Sequence, residues 1–282
     1  MKFQDAALLV SNVPEPHIPA SRGRVLYDNL RKQRPENVLE LGTARGGSAI
    51  FMAAALEANG RGHLTSVDSS RWQWRNPTPR EVLDNSGLGH LVTLDKNYST
   101  YAWFLKGELE KSLDDNGLVR PKYDFIFLDG AKNWSTDGVT VLVAEQLLRP
   151  GGWLLLDDLG WTYDKYVSTP MHYEIEIAKL SESERAEPHL RAVFDLLLRT
   201  NPAFDEFLIQ DDWWGWAHKS ADAGQAAGRG AAPRARVRVH STKGRAGGAT
   251  AVLRRSRTIA SRAVTRSRGG SSLRPAERGG QR

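Results

Sequence analysis

The chain has 282 residues, 40 % of them hydrophobic, no cysteine and a formal net charge of +6. That is enough apolar material for one substantial core, while the lack of thiols excludes disulfides, thiolate metal sites and cysteine nucleophiles. No apolar run approaches the roughly 20 residues that a membrane-spanning helix needs, and "AALLV" near the start is too short for a secretory core segment; the expectation is a soluble, cytoplasmic protein without membrane association.

From Arg24 to Arg31, Val25, Leu26 and Leu30 recur at helical spacing, and "ENVLELG" is then a short β-type run closed by a glycine. The alternation continues with "SAIFMAAALEAN" as helix, "GHLTSVD" as strand, "PREVLDNSG" as helix and "GHLVTLD" as strand. It goes on through "YAWFLKGELEKSL" as helix, "YDFIFLD" as strand, "GVTVLVAEQLL" as helix and, after the turn "RPGG", the strand "GGWLLLDDL". Because "VLEL", "FIFL" and "WLLL" are apolar at almost every position, they fit parallel strands covered on both faces. A further helix, "LRAVFDLLLRTN", leads to "FDEFLIQ" and "WWGWAHK", which read as an antiparallel hairpin at the sheet edge. The predicted fold is α/β, a doubly wound and mostly parallel sheet of Rossmann-like type with a C-terminal antiparallel hairpin.

Charge divides the chain. Residues 221–282 carry 14 Arg and one Lys against Asp222 and Glu277, a net +13, which leaves residues 1–220 at −7. All nine tryptophans lie in the acidic body and the tail has no aromatic residue, so it buries too little apolar surface to offset its ordering entropy. The expected organisation is a domain over 1–220 followed by a disordered Arg/Gly/Ala/Ser-rich tail over 221–282.

In such sheets ligands bind beyond the carboxyl ends of the strands, and the chemistry-bearing residues lie there. The first strand ends in "ELGTARGG". A dinucleotide fingerprint would put glycine at 42, 44 and 47; Ala44 at the middle position weakens the NAD reading. Asp68 closes the second strand, where an acidic side chain can accept both hydroxyls of a ribose. Spacing alone leaves a nucleotide-binding turn and a plain structural turn both open. Asp129 ends the strand of "FIFLDGAKNWS", with Lys132 three residues on, and Asp157 and Asp158 end the next strand. Three carboxylates at one end of a sheet repel, and a hard divalent cation such as Mg²⁺ is the simplest remedy. Alternatively Asp157 caps a turn, Asp129 faces solvent and Lys132 is an ordinary surface lysine.

In their order and approximate spacing, "VLELGTARGGSAIFMA", Asp68, "YDFIFLDGAK" and "LLRPGGWLLLDD" resemble the class I S-adenosylmethionine-dependent methyltransferases over roughly residues 20–220. The resemblance implies that Glu40, Gly42, Thr43, Ala44, Gly46, Gly47 and Ser48 cradle the methionine part of S-adenosylmethionine. It also implies that Asp68 holds the ribose, that Asp95 in "LDKNYS" lies by the adenine, and that Asp129 serves cofactor as well as metal. "LDGAKNW" followed by "LLDDLGW" is similar to the metal-dependent O-methyltransferases of the catechol and caffeoyl-CoA type. That similarity implies Mg²⁺ held by Asp129, Asp157 and Asp158, with Lys132 as the base beside the attacking hydroxyl. Asp158 stands where those enzymes usually carry asparagine. The implied reaction is methylation of a hydroxyl on a small aromatic, sugar or natural-product acceptor, by an enzyme of a type that is often a homodimer.

Aromatic residues crowd "RWQWRNP" at 71–77, Trp134 and "GWTYDKYVSTPMHY" at 160–173, which suits walls and a lid around a flat acceptor. Trp134 and Trp161 come first as lining residues, Met171 and His172 after them, and His17 in "PEPHIP" could close the site from above; each tryptophan also reads as a core or loop anchor. The arginine-rich tail raises a rival class, an RNA-directed methyltransferase or nucleic-acid-binding protein. Against it stand the acidic body, the absent cysteine, and no Asn/Asp-Pro-Pro-Tyr motif after the Asp129 strand; the tail equally reads as an extension without a role.

Overall fold

Alternate residues of the central strands face two different apolar layers, and this makes the sheet two-sided. The computed structural model describes residues 1–68, 75–95, 100–166, 179–223 and 237–240. Strands β1 (Asn37–Leu41), β2 (His63–Val67), β3 (Val92–Asp95), β4 (Tyr123–Leu128) and β5 (Leu148–Leu156) pair in parallel. β7 (Trp214–Lys219) lies antiparallel between β5 and β6 (Phe204–Gln210), and with β8 (Val237–His240) beside β6 the order across the sheet is β3-β2-β1-β4-β5-β7-β6-β8.

One layer contains α1 (Phe3–Ser11), α2 (Ala20–Gln33), α3 (Gly47–Asn59) and α4 (Pro79–Asn85). There Val38, Phe125, Phe127 and Leu155 of the strands meet Leu26, Leu30 and Phe51. On the opposite face Leu39, Leu41, Ile126, Leu128 and Leu154 pack with Phe104, Val141, Leu147 and Phe194, residues of α5 (Tyr101–Ser112), α6 (Trp134–Leu147) and the wide turn Phe194–Leu198. Short helices α7 (Tyr163–Tyr166), α8 (Glu182–Ala186) and α9 (His189–Val193) connect β5 to that turn.

Local chemistry sets the boundaries. Thr78 and Glu81 form a capping box with Pro79 as the first residue of α4, and α3 stops at Gly60 in the left-handed conformation. α6 begins at Trp134, earlier than the apolar run at 138 suggests, because the Asn133 side chain accepts the Thr136 N–H. β5 absorbs the "RPGG" expected as a separate turn. α1 was not foreseen; Ala6 and Val10 bury against α2 and α3, and so short a helix depends on that packing.

Within the segment expected to be disordered, Val237–His240 is a strand, β8, paired in parallel with β6. Residues 224–236 and 241–282 lie outside the described residues, as do 69–74, 96–99 and 167–178, which include the expected aromatic loop residues Met171 and His172. No helix among the described residues is long and apolar enough to cross a membrane.

Candidate active site

Backbone hydrogen bonds carry the parallel pairing one step past the strand ends and set five tips in a row. Asp68 N–H donates to Asp95 O, Gly42 N–H to Val67 O, Asp129 N–H to Leu41 O and Asp157 N–H to Leu128 O, all at 2.9–3.0 Å. The sequence-predicted residues Asp95, Asp68, Gly42, Asp129 and Asp157 thus stand side by side, although β4 is remote from β1 in the chain.

The turn after β1 is held from beneath and from the side. Glu40 is fully buried, and its carboxylate accepts from the Ser48 and Ser66 hydroxyls; Ser66 is also 2.6 Å from Thr43. Burial pushes the Glu40 carboxyl up to about 8, reinforced by the nearby Asp129 and Asp68 charges and opposed by the two serine bonds. Asp68 Oδ2 accepts the Ala44 N–H at 2.9 Å. Gly42 has φ +118°, and a Cβ there would fall 1.9 Å from the Asp129 carbonyl oxygen, so only glycine lets β1 and β4 close up. Gly46, at φ +86°, caps α3, and a Cβ on Gly47 would meet Pro16 O at 2.4 Å.

Across the row, Lys132 Nζ donates to Asp129 Oδ1 at 2.8 Å and also contacts Asp158 Oδ2. Asp157 Oδ1 accepts from the Trp214 indole N–H and from the Asp158 N–H, each at 2.7 Å, and lies 4.0 Å from the Arg22 guanidinium. Burial raises the Asp157 carboxyl well above the usual range, with Asp129 and Asp158 adding repulsion. Burial also raises Asp158, although Lys132 pulls the other way. Burial by itself would lower the Lys132 pKa, but the charges of Asp129, Asp158 and Asp157 outweigh it and hold the amine well above its ordinary value, as an ammonium.

Two of the three carboxylates expected to hold Mg²⁺ pair with Lys132. Among the described residues no group of three or more His, Cys, Asp or Glu is arranged to hold a metal ion, since a lysine already lies between two of the carboxylates and the third is bonded to Trp214.

Pro16, His17, Ile18, Thr43, Ala44, Ser48, Phe127, Asp129 and Asp157 line a small hollow where the β1 turn meets the carboxylates. His17 is among its lining residues. Trp134 is 42 % exposed at the start of α6, whereas Trp161 is 5 % exposed and packs edge-on against Tyr163, so it anchors its loop rather than presenting a wall. Ser66, Arg22 and Trp214 were not foreseen. Ser66 pairs in register with Glu40, a signal available once the two strands are aligned; for Arg22 and Trp214 no local pattern marks a site. A wider cleft at the other end of the sheet, by Arg34, Arg61 and Arg149, has its arginines engaged with Asn59 O, Glu36 and Asp124.

Residues 39–159 match a family model described as a methyltransferase domain. Among solved structures the chain is similar to an O-methyltransferase from Bacillus cereus in complex with S-adenosylhomocysteine, at 18 % identity over 78 % of this chain and 92 % of that one, with a TM-score of 0.54. It is also similar to a protein assigned as a caffeoyl-CoA O-methyltransferase from Staphylococcus aureus, at 18 % identity over 78 % and 93 %, TM-score 0.53. A third, assigned as an O-methyltransferase from Klebsiella pneumoniae, shares 21 % identity over 78 % and 90 %, TM-score 0.52. At these identities the likeness is one of fold. Residues 39–159 thus match a methyltransferase domain model, and the chain carries the Rossmann-like methyltransferase fold.

Proposed function

We propose that this protein transfers a methyl group from S-adenosylmethionine to a hydroxyl oxygen of a small acceptor, through a domain within residues 1–220. The observation that carries the reading is the shared cavity. Thr43, Ala44 and Ser48 of the β1 turn and Asp129 and Asp157 of the β4 and β5 tips line one space, so a cofactor held by the turn would present its reactive end to the charged cluster. The fold likeness to a structure with S-adenosylhomocysteine bound supports the choice of cofactor.

Glu40, Gly42, Thr43, Ala44, Gly46, Gly47 and Ser48 would hold the methionine part, aided by the amino end of α3, which favours a carboxylate. Asp68 and Asp95 would face the ribose and the adenine. The positive φ at Ala44 and Gly46 fits a turn shaped around a ligand. The cofactor supplies a methyl group made electrophilic by a sulfonium. The rest falls to the protein: the acceptor hydroxyl has to be placed in line with that methyl and to lose its proton.

Lys132 is the base that the resemblance implies, but an ammonium shared by two carboxylates serves better as a donor to the acceptor oxygen, which stabilises the developing negative charge. Asp129 receives the proton in this reading, since its side chain is 23 % exposed against 12 % for Asp158 and 10 % for Asp157. Positioning two substrates in one cavity accounts for much of the rate. The test is transfer of a labelled methyl from S-adenosylmethionine to a panel of vicinal-diol phenols and sugars. An O-methylated product is expected; intact cofactor binding with label on nitrogen or carbon acceptors alone would overturn the O-methyl assignment. Parallel runs with Mg²⁺ and with a chelator ask separately whether the metal implied by the resemblance takes part.

A further inference from the structure

We infer that the ammonium of Lys132, and not a divalent cation, is the positive charge that holds the strand-tip carboxylates together, with Asp158 as the positioning residue that keeps it there. The inference concerns the same site as the proposed transferase reaction, but the binding experiment below does not depend on that reaction.

Three observations converge. First, Lys132 and Asp158 come from different loops, after β4 and after β5, and both have φ +60°. Non-glycine residues take that left-handed conformation when their surroundings over-determine it. Here the ion pair joins the two, with Asp129 as the second partner of the amine at 2.8 Å. Second, Asp157 Oδ1 already has partners: it accepts from Trp214 and from the Asp158 N–H, and Arg22, stacked 4.4 Å over Trp213, stands 4.0 Å away. Third, two positive side chains already stand against the three acids, Lys132 on Asp129 and Asp158 and Arg22 on Asp157, so a dication would be added beside fixed positive charge, which is costly at low dielectric. The aspartate at 158 then has a reason: an asparagine could ligate through its carbonyl but could not pair with the ammonium as a charge.

Mn²⁺ serves as the probe, followed in the full-length protein by its electron paramagnetic resonance signal, with and without S-adenosylhomocysteine. The wild-type chain is expected to leave the free-ion signal unattenuated at millimolar Mn²⁺. Lys132→Met, which removes the countercharge, is expected to gain one Mn²⁺ per chain with affinity higher by on the order of a hundredfold or more, the scale of one like charge removed at about 4 Å, whereas Lys132→Arg gains none. A wild-type site that binds Mn²⁺ and loses it in Asp157→Asn would overturn the proposal. So would a folded Lys132→Met protein that still binds no metal. If circular dichroism shows that Lys132→Met does not fold, the wild-type titration decides alone. Calorimetry with S-adenosylhomocysteine separates the two readings: absent binding removes the methyltransferase assignment and leaves the Mn²⁺ result standing.

Discussion

Glu40 accepts hydrogen bonds on both carboxylate oxygens from serines inside the protein, and its side chain is fully buried. An acid whose folded pKa lies above its unfolded value binds more protons when folded, so stability falls as pH rises. For Glu40 that fall runs from the usual carboxylate value of 4.5 to about 8 and levels off above it. Urea unfolding of the wild type is expected to lose on the order of a few kcal/mol across that window, while Glu40→Gln, which has nothing to ionise, stays flat. Equal slopes in the two proteins would show that Glu40 is already ionised when folded. At this scale the sequence marks residue identity well and role less well. Glu40, Gly42 and Asp68 stand out from the strand-turn-helix pattern, yet the need for glycine at 42 comes from the Asp129 carbonyl, which no local reading of the β1 turn contains.

Elements act on the site through their neighbours. β7 contributes no side chain to the cavity, but its Trp214 donates to Asp157 at the tip of β5. Trp214→Phe keeps an aromatic ring beside Phe127 and deletes the donor. A buried acceptor deprived of its partner costs about 1–3 kcal/mol, so the variant is expected to lose that much in urea unfolding and to turn over more slowly, with S-adenosylhomocysteine affinity retained. Unaltered stability would mean that water or Arg22 replaces the indole. Helices and strands of the central sheet were legible because buried parallel strands are continuously apolar and the helices between them are periodic. α1 was not, since nine residues carry too little pattern apart from the packing of Ala6 and Val10, and the start of α6 depended on one asparagine cap.

At the scale of the whole molecule, the described folded body runs past residue 220. Charge and aromatic content place the boundary at 220, but β8 at Val237–His240 covers the outer edge of β6. An uncovered strand edge is a template for association. A chain cut after Lys243 is therefore expected to stay monodisperse in light scattering, one cut after Ala223 to aggregate, and both to transfer methyl. Loss of transfer from the chain cut after Lys243 would instead favour the reading in which the arginine-rich tail recruits a nucleic-acid substrate.

The sequence by itself determined the two-sided parallel sheet, because strand burial on both faces is written into every residue of "VLEL", "FIFL" and "WLLL". It also determined that acidic residues would end those strands, since tips leave the core and must be polar. Only the tertiary structure decided what faces those acids. Whether three carboxylates gather a metal ion or a lysine depends on ångström-scale side-chain positions in loops joined through separate strands, and Coulombic energy at low dielectric is steep over that range.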